Sequence, residues 1–370
     1  MASGNHDIAN IDKNLVVEGV ADGDGFVFYN VRQAPFSLYG LYDPLGQPVF
    51  KRMPDDVAKA TSPGVAQLNL HTAGGRVRFS TDSDKIAIRA VMHEVSHFPH
   101  MPMSGSGGFD LILNVPDEVG GEICSRYVNT FMPPWNMTDG YSAKIKLCGK
   151  RKRFFTINFP SYSGVVDLYV GVTEGSSLGE GVCYRNRLPV VFYGSSITQG
   201  GCSSTPGNSC QNIISRRLNL DYINLGFSGS GKAEDTIVDY MASLPMCAFV
   251  SDYDHNAPNV EHLQKTHYRM YRKIRAAHPE IPYLMLSKCD VNHSYDDAVL
   301  RRDVIFDTYR KARAEGDRNV YYIDGASVYR GPYWEMCTVD SLHPNDLGFA
   351  LMADAVGAEL KRVLTQPLLS

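Results

Sequence analysis

No window of the 370 residues approaches the run of about 20 apolar residues that a spanning helix needs. The polar start, MASGNHDIANIDKNLVVEG, has no apolar h-region of a secretory leader, so the expectation is a cytoplasmic protein that does not enter a membrane. Charge of one sign is scarce in any one place. The formal net charge is −4 with no basic stripe or polybasic run, which argues against nucleic acid and membrane surfaces as partners. No G-x-x-x-x-G-K-[ST] and no strand-linked G-x-G-x-x-G occurs, which disfavours a nucleotide cofactor. The eight cysteines include no C-x-x-C pair, and Cys202 and Cys210, which bracket the loop CSSTPGNSC, are expected to stay reduced. No metal spacing connects His262, His267, His278 and His293, and no metal or other cofactor is expected. Finally, the stretch YGSSITQGG, Tyr193 to Gly201, lacks the G-x-S-x-G spacing, so a serine nucleophile there would not sit on the elbow of an α/β-hydrolase.

What is present falls into two textures. Apolar residues make up 44% of the chain, enough for sizeable cores. From about Val16 to Tyr184 the pattern is short alternating runs broken by glycine, proline and aspartate. In RVRFSTDSDKIAIRAVM, Val77 and Phe79 alternate with Arg76 and Arg78, and after a turn Ile86, Ile88 and Ala90 alternate with Lys85 and Arg89. That spacing predicts half-buried strands paired as a hairpin, and its repetition with almost no helical period predicts a β-sandwich or jelly roll. After RNRLP the apolar runs VVFYG, DYINLG, MCAFVSDY, PYLMLSK and NVYYID alternate with five segments of helical period. This predicts an α/β fold, a doubly wound parallel sheet. The boundary is expected near residue 186, giving an all-β unit over 1–185 and an α/β unit over 186–370.

One motif in the first half imitates a zinc site. HEVSH, from His93 to His97, matches H-E-x-x-H, which binds metal when the two histidines lie one turn apart on a helix. Here it continues a strand-period run and meets Pro99. In a strand the two histidines would stand about 13 Å apart, too far for one ion. His100 is left as a residue of a loop that could reach an active site.

In an open α/β sheet, ligands bind at the carboxyl ends of the strands. Those ends carry Gly194-Ser195-Ser196 in the stretch YGSSITQGG, then NLGFSGSG (Asn224 to Gly231), then DYDHNAP (Asp252 to Pro258). The loop before the last helix carries DSLHP, Asp340 to Pro344. A serine needs an adjacent base, which His343 can supply. Asp340 is close enough in sequence to fix the tautomer of that histidine. The Ser196 amide, the Gly229 amide and the Asn256 side chain are candidate donors to a developing oxyanion. Ser195 reads as a turn residue or hydrogen-bond partner beside the nucleophile.

These blocks, in this order, resemble the SGNH/GDSL hydrolase superfamily. The resemblance covers roughly residues 186 to 365 and implies a flavodoxin-like doubly wound sheet. It places Ser196 at the nucleophile, Gly229 and Asn256 in the oxyanion hole with the Ser196 amide, and Asp340 and His343 in the last block. The family usually has aspartate where Ser195 stands. The first half is similar to the β-sandwich that precedes the catalytic unit in some two-domain bacterial members, including carbohydrate esterases. The activity implied is removal of small acyl groups, acetyl above all, from a carbohydrate by a covalent acyl-enzyme. The partner would then be a small-molecule or oligosaccharide ester, with Tyr333 and Trp334 as candidates to stack on a sugar or to tuck into the core. The alternatives are a lipid or thioester acylhydrolase, an acyltransferase with the same triad, or a sugar-binding protein with a degenerate hydrolase unit.

Overall fold

The computed structural model describes residues 12, 19–21, 23–116, 123–293 and 295–365. Among the described residues the first half forms ten strands. They are β1 (Phe26–Asn30), β2 (Ser37–Tyr39), β3 (Arg76–Thr81), β4 (Lys85–Glu94), β5 (Phe109–Pro116), β6 (Ile123–Phe131), β7 (Gly140–Lys146), β8 (Arg153–Asn158), β9 (Gly164–Thr173) and β10 (Leu178–Glu180). They build two antiparallel sheets, one ordered β1-β9-β4-β7 and the other β10-β3-β8-β5-β6 with β2 beside β3. Val77 and Phe79 of β3 meet Ile86 and Ile88 of β4 in the core between the sheets.

The expected hairpin is therefore corrected. β3 pairs with β8 and β4 with β9 and β7, so the turn at 82–84 carries the chain from one sheet to the other. The alternation marks the inward face of each strand but cannot say which strand lies alongside. The reading of Arg76 and Arg78 as outward residues is also incomplete. They point away from the sandwich core but are buried, because the second half covers that face. Arg76 donates to the Tyr222 carbonyl at 3.0 Å and pairs with Asp221, while Arg78 donates to Asn219 at 3.0 Å.

Among the described residues three short helices interrupt the first half, where almost no helical period is expected: α1 (Asp55–Thr61), α2 (Pro63–Leu68) and α3 (Met103–Ser106). Each is too short to show a helical period. The Ser62 side chain caps α2 by accepting from the Val65 N–H, and Pro63 sits in its first turn, where a missing N–H costs nothing. Met53, Ala58 and Val65 pack into the core of the second half.

That second half consists of β11 (Val190–Gly194), α4 (Ser196–Gln199), α5 (Cys210–Leu218), β12 (Tyr222–Gly226), α6 (Asp235–Ser243), β13 (Ala248–Asp252), α7 (Val260–Ala277), β14 (Tyr283–Leu286), α8 (Tyr295–Ala314), β15 (Val320–Ile323) and α9 (Asp346–Thr365). The strands are parallel in the order β12-β11-β13-β14-β15, the doubly wound flavodoxin-like arrangement expected. Val191 and Tyr193 of β11 face one core, Val190 and Phe192 the other. Helices cover both faces, which is why this strand reads as an unbroken apolar run. α7 buries Leu263, Thr266, His267, Met270, Tyr271 and Ile274, a stripe at helical spacing, and Asn259 caps it by accepting from the His262 N–H at 2.8 Å. Among the described residues no helix is long and apolar enough to cross a membrane.

Chain order reverses across the sheet between β11 and β13, with β12 on the far side of β11. The crevice of such a sheet opens at that point, beyond Gly194 and Asp252, which are register partners.

Candidate active site

β11 ends on Gly194, and only glycine fits there. A Cβ would lie 2.1 Å from the Thr198 hydroxyl and 2.2 Å from the Asp252 carbonyl. The chain then turns at once into α4. Ser195 is its N-cap: the hydroxyl accepts from the Ile197 N–H at 3.2 Å. Ser196 is the first residue of the helix, so its own N–H precedes the intrahelical ladder. The two adjacent serines therefore differ in kind. Ser195 is 1% exposed and spends its hydroxyl on the backbone, while Ser196 presents its hydroxyl to His343.

The Ser196 Oγ lies 2.9 Å from His343 Nε2, and His343 Nδ1 lies 2.7 Å from Asp340 Oδ2. A carboxylate only accepts, so Nδ1 carries the proton and Nε2 is left to accept from the serine hydroxyl. The other carboxylate oxygen of Asp340 accepts from the backbone N–H groups of Leu342 (3.1 Å) and His343 (2.7 Å). Burial raises the Asp340 carboxyl, but these hydrogen bonds and the His343 side chain outweigh it and hold the group below its ordinary value. The short loop is braced by a bridge between Thr338 and Pro344 and by Asn345, whose side chain accepts from Leu347 and Gly348 at the start of α9.

Gly229 and Asn256, the other two expected oxyanion donors, follow the ends of β12 and β13. Gly229 adopts φ +60° with open space where a Cβ would stand. Asn256 is placed differently from the expectation. Its amide nitrogen faces the carbonyls of Gly194 (3.3 Å), Phe227 (2.8 Å), Gly231 (3.3 Å) and Ser230. It thus ties the end of β11 to the glycine-rich turn, and donation to an oxyanion requires it to release one of these carbonyls. Tyr333 and Trp334 part company: Tyr333 is 62% exposed, whereas Trp334 packs against the core beneath α9.

The sequence gives no sign of three further residues that hold the site. Gln199, fully buried on α4, accepts from the Ser228 N–H at 3.0 Å and donates to the Ser161 carbonyl at 3.1 Å. Its amide nitrogen also lies 3.2 Å from His71 Nδ1. It thereby links the glycine-rich turn to the first half. Tyr162 donates to the Ser196 carbonyl at 3.2 Å. Arg52, buried, donates to the carbonyls of Asn224 (3.2 Å) and Gly226 and lies over the Phe227 ring. Tyr162 and Arg52 come from segments whose proximity only the tertiary structure creates.

Below the site, Thr198 donates to Asp252 at 3.1 Å. Burial pushes the Asp252 carboxyl up to about 7, with the negative charge of Asp254 adding to it. His255 is buried between Asp254 (3.2 Å) and Asp290 (2.9 Å); burial pulls its pKa down, but the two carboxylates prevail and raise it to about 10. The helix histidines are structural. His267 is buried against Thr308 at 2.9 Å, and burial lowers it to about 4. His262 donates to the Lys232 carbonyl and His278 to that of Ala242.

HEVSH is no helical motif. His93 and Glu94 end β4, Glu94 faces His71 at 3.8 Å, and His97 leans toward the exposed Trp135. His100 does reach the site: its ring centroid lies 5.6 Å from that of His343. Cys202 and Cys210 are buried free thiols, and burial together with the charge of Asp340 pushes the Cys202 thiol up to about 12.

Residues 187–361 match the GDSL-like lipase/acylhydrolase family, and residues 26–178 match the N-terminal region of SGNH-hydrolase-type esterases. A search of curated proteins gives no significant match. Among solved structures, a Bacteroides ovatus protein described as a GDSL-like lipase is similar with a TM-score of 0.80 at 23% identity, over 92% of this chain and 98% of that one. A salicylyl-acyltransferase of a tetracycline biosynthetic pathway gives 0.70 at 17% identity, over 93% and 99%. An acetyl xylan esterase of the rumen bacterium Butyrivibrio proteoclasticus gives 0.53 at 12% identity, over 92% and 98%. At these identities the likeness is one of fold.

Proposed function

Because the chain belongs to the GDSL/SGNH hydrolases and is thus an enzyme of ester bonds, we propose that it removes small acyl groups, acetyl above all, from a carbohydrate, using Ser196, His343 and Asp340. The hydrogen-bonded chain from Ser196 Oγ through His343 to Asp340, at 2.9 and 2.7 Å, carries this reading. Ser196 attacks the ester carbonyl while His343 Nε2 takes its proton. The N–H groups of Ser196 and Gly229 receive the negative charge that develops on the carbonyl oxygen. The tetrahedral intermediate collapses with transfer of that proton to the leaving sugar oxygen, and an acyl-Ser196 ester remains. His343 then takes a proton from water, hydroxide equivalents add to the acyl carbon, and carboxylic acid departs as Ser196 recovers its proton. Asp340 keeps the imidazole in the productive tautomer and stabilises its cationic form.

The sugar preference draws on the carbohydrate esterases to which the fold is similar, among them one solved with cellohexaose. The experiment is a substrate screen. Acetylated oligosaccharides, a short-chain aryl acetate and long-chain aryl esters are incubated with the protein, and deacetylation is read by mass. Deacetylation of the oligosaccharides faster than turnover of the long-chain esters is expected, and the reverse order would overturn the acetyl-sugar assignment. An alcohol acceptor added to the same assay separates hydrolysis from acyl transfer, since transfer outrunning hydrolysis would make the protein a transferase.

A further inference from the structure

Three segments remote in sequence bring nitrogen and sulfur ligands together beside the candidate nucleophile. His100 lies in the loop between β4 and α3, Cys202 follows α4, and His343 precedes α9. One ligand atom of each lies within 4.8 Å of the other two. We propose that His100, Cys202 and His343 form a binding site for a borderline-soft divalent cation, zinc above all, whose occupancy switches the esterase off.

The donor set selects the ion. Two imidazoles and a thiolate suit zinc and poorly suit magnesium or calcium, which take oxygen ligands. Ideal tetrahedral zinc, with bonds of about 2.0–2.1 Å to nitrogen and about 2.3 Å to sulfur, sets ligand atoms about 3.3–3.6 Å apart. The present ligand atoms all lie within 4.8 Å of one another, so rotation about the side-chain torsions must draw them together as an ion binds. Access is also right. Cys202 is buried and its thiol is free, while His100 and His343 are only partly buried and leave a way in from solvent. The second cluster of this kind, Asp252, Asp254 and His255, is closed in on itself: His255 is held between two carboxylates and Asp254 accepts from the Lys288 N–H.

The consequence for activity rests on the reading of His343 as the general base. Asp340 holds Nδ1, so the lone pair that can meet an ion is that of Nε2, the same one that accepts from Ser196. An ion on Nε2 and a proton taken from Ser196 are mutually exclusive. The metal is then a reversible inhibitor, and removing it restores the resting hydrogen bond. The thiol gives up its proton to solvent as the ion binds.

Zinc is titrated calorimetrically into the purified full chain, and cobalt(II) is added to a parallel sample to read the near-ultraviolet thiolate-to-metal band. Esterase activity is followed with and without a chelator. The expectation is one high-affinity equivalent, a thiolate band, and zinc inhibition reversed by the chelator. His100→Ala and Cys202→Ser should each raise the zinc concentration for half-inhibition by about tenfold or more, and Cys202→Ser should abolish the band. His100→Ala decides the matter if the buried Cys202 variant fails to fold. Inhibition that neither variant relieves, or a cobalt spectrum without the band, overturns the site. Binding with the band but undiminished activity overturns the switch. The base role of His343 is tested separately by His343→Ala without metal, where full activity would refute that role and leave the binding result standing.

Discussion

Replacing Ser195 by alanine isolates the one hydroxyl beside the nucleophile that the proposed mechanism does not consume. In the structure that hydroxyl accepts from the Ile197 N–H at 3.2 Å. Ser195 is 1% exposed and Ile197 4%, so water cannot replace the lost partner. Loss of an N-cap costs about 0.5–2 kcal/mol, and an orphaned buried donor about 1–3 kcal/mol. The two describe the same bond and are counted once, giving about 1–2 kcal/mol. Unfolding entropy near the midpoint is roughly 2.1 cal/mol/K per residue, or roughly 0.8 kcal/mol/K over 370 residues. The expected drop in Tm is thus about 1–3 °C, read by calorimetry. Because α4 begins at Ser196, a frayed helix start also misplaces the nucleophile, and kcat should fall by about 10–100-fold. Ser195→Asn restores a capping acceptor and should recover most of both losses. Ser195→Asp also caps but buries a carboxylate, and it should retain activity only to the extent that the helix N-terminus offsets that cost. If Ser195→Ala leaves Tm unchanged and abolishes activity while Ser196→Ala does not, the two serines have been assigned the wrong way round.

Ser196→Ala and His343→Ala should each reduce kcat on an aryl acetate by at least about 10³-fold, with the double variant little worse than either single one, as expected of groups that act as a unit. Independent, additive losses would speak against the hydrogen-bonded chain as one device. Asp340→Asn should lower kcat by about 10³–10⁴-fold with the fold intact by circular dichroism, because an amide no longer enforces the Nδ1–H tautomer. Two buried groups contribute stability that is lost as pH rises. Asp252 and His255 both have native pKa values above their ordinary ones, about 7 against 3.8 and about 10 against 6.5, so the native state binds more protons than the unfolded one. The contribution of Asp252 is fully present below pH 4 and lost by about pH 7; that of His255 is present below about pH 6.5 and lost by about pH 10. His267, lowered by burial to about 4, acts in the opposite sense between about pH 4 and 6.5, so the Asp252 contribution is read as the difference in denaturant midpoint between the wild type and Asp252→Asn, which should shrink from about pH 4 to 7. The wild-type midpoint should decline from about pH 7 to 9 as the His255 contribution is lost; a difference between wild type and Asp252→Asn that does not change from pH 4 to 7 would contradict the burial of Asp252.

The parallel sheet and the Ser-His-Asp chain were legible in the sequence because their signals are local. VVFYG, DYINLG and MCAFVSDY are apolar throughout because helices cover both faces of each strand, and that requirement is written into consecutive residues. Asp340 and His343 stand three residues apart, so a single loop brings carboxylate to imidazole. The order of the blocks along the chain places the serine and this loop at the same edge of the sheet. Alternation likewise marked the inward residues Val77, Phe79, Ile86 and Ile88. It does not choose their strand partners, and so it predicts a hairpin where β3 and β4 in fact face each other across the sandwich.

What only the tertiary structure decided concerns groups whose meaning depends on a distant neighbour. Nothing near Arg76 and Arg78 in sequence says that their face of the sheet is covered by Asp221, Tyr222 and Asn219. Gln199 reads as one more polar residue after YGSSIT until His71, Ser161 and Ser228 converge on it from three other segments. The two serines of that stretch are chemically identical in sequence. They part only when the chain turns sharply after Gly194 into a helix, which gives one hydroxyl a backbone N–H to cap and leaves the other facing His343. Local pattern is set by residues a few positions apart, whereas the partner of a buried polar group is set by the packing of the whole chain.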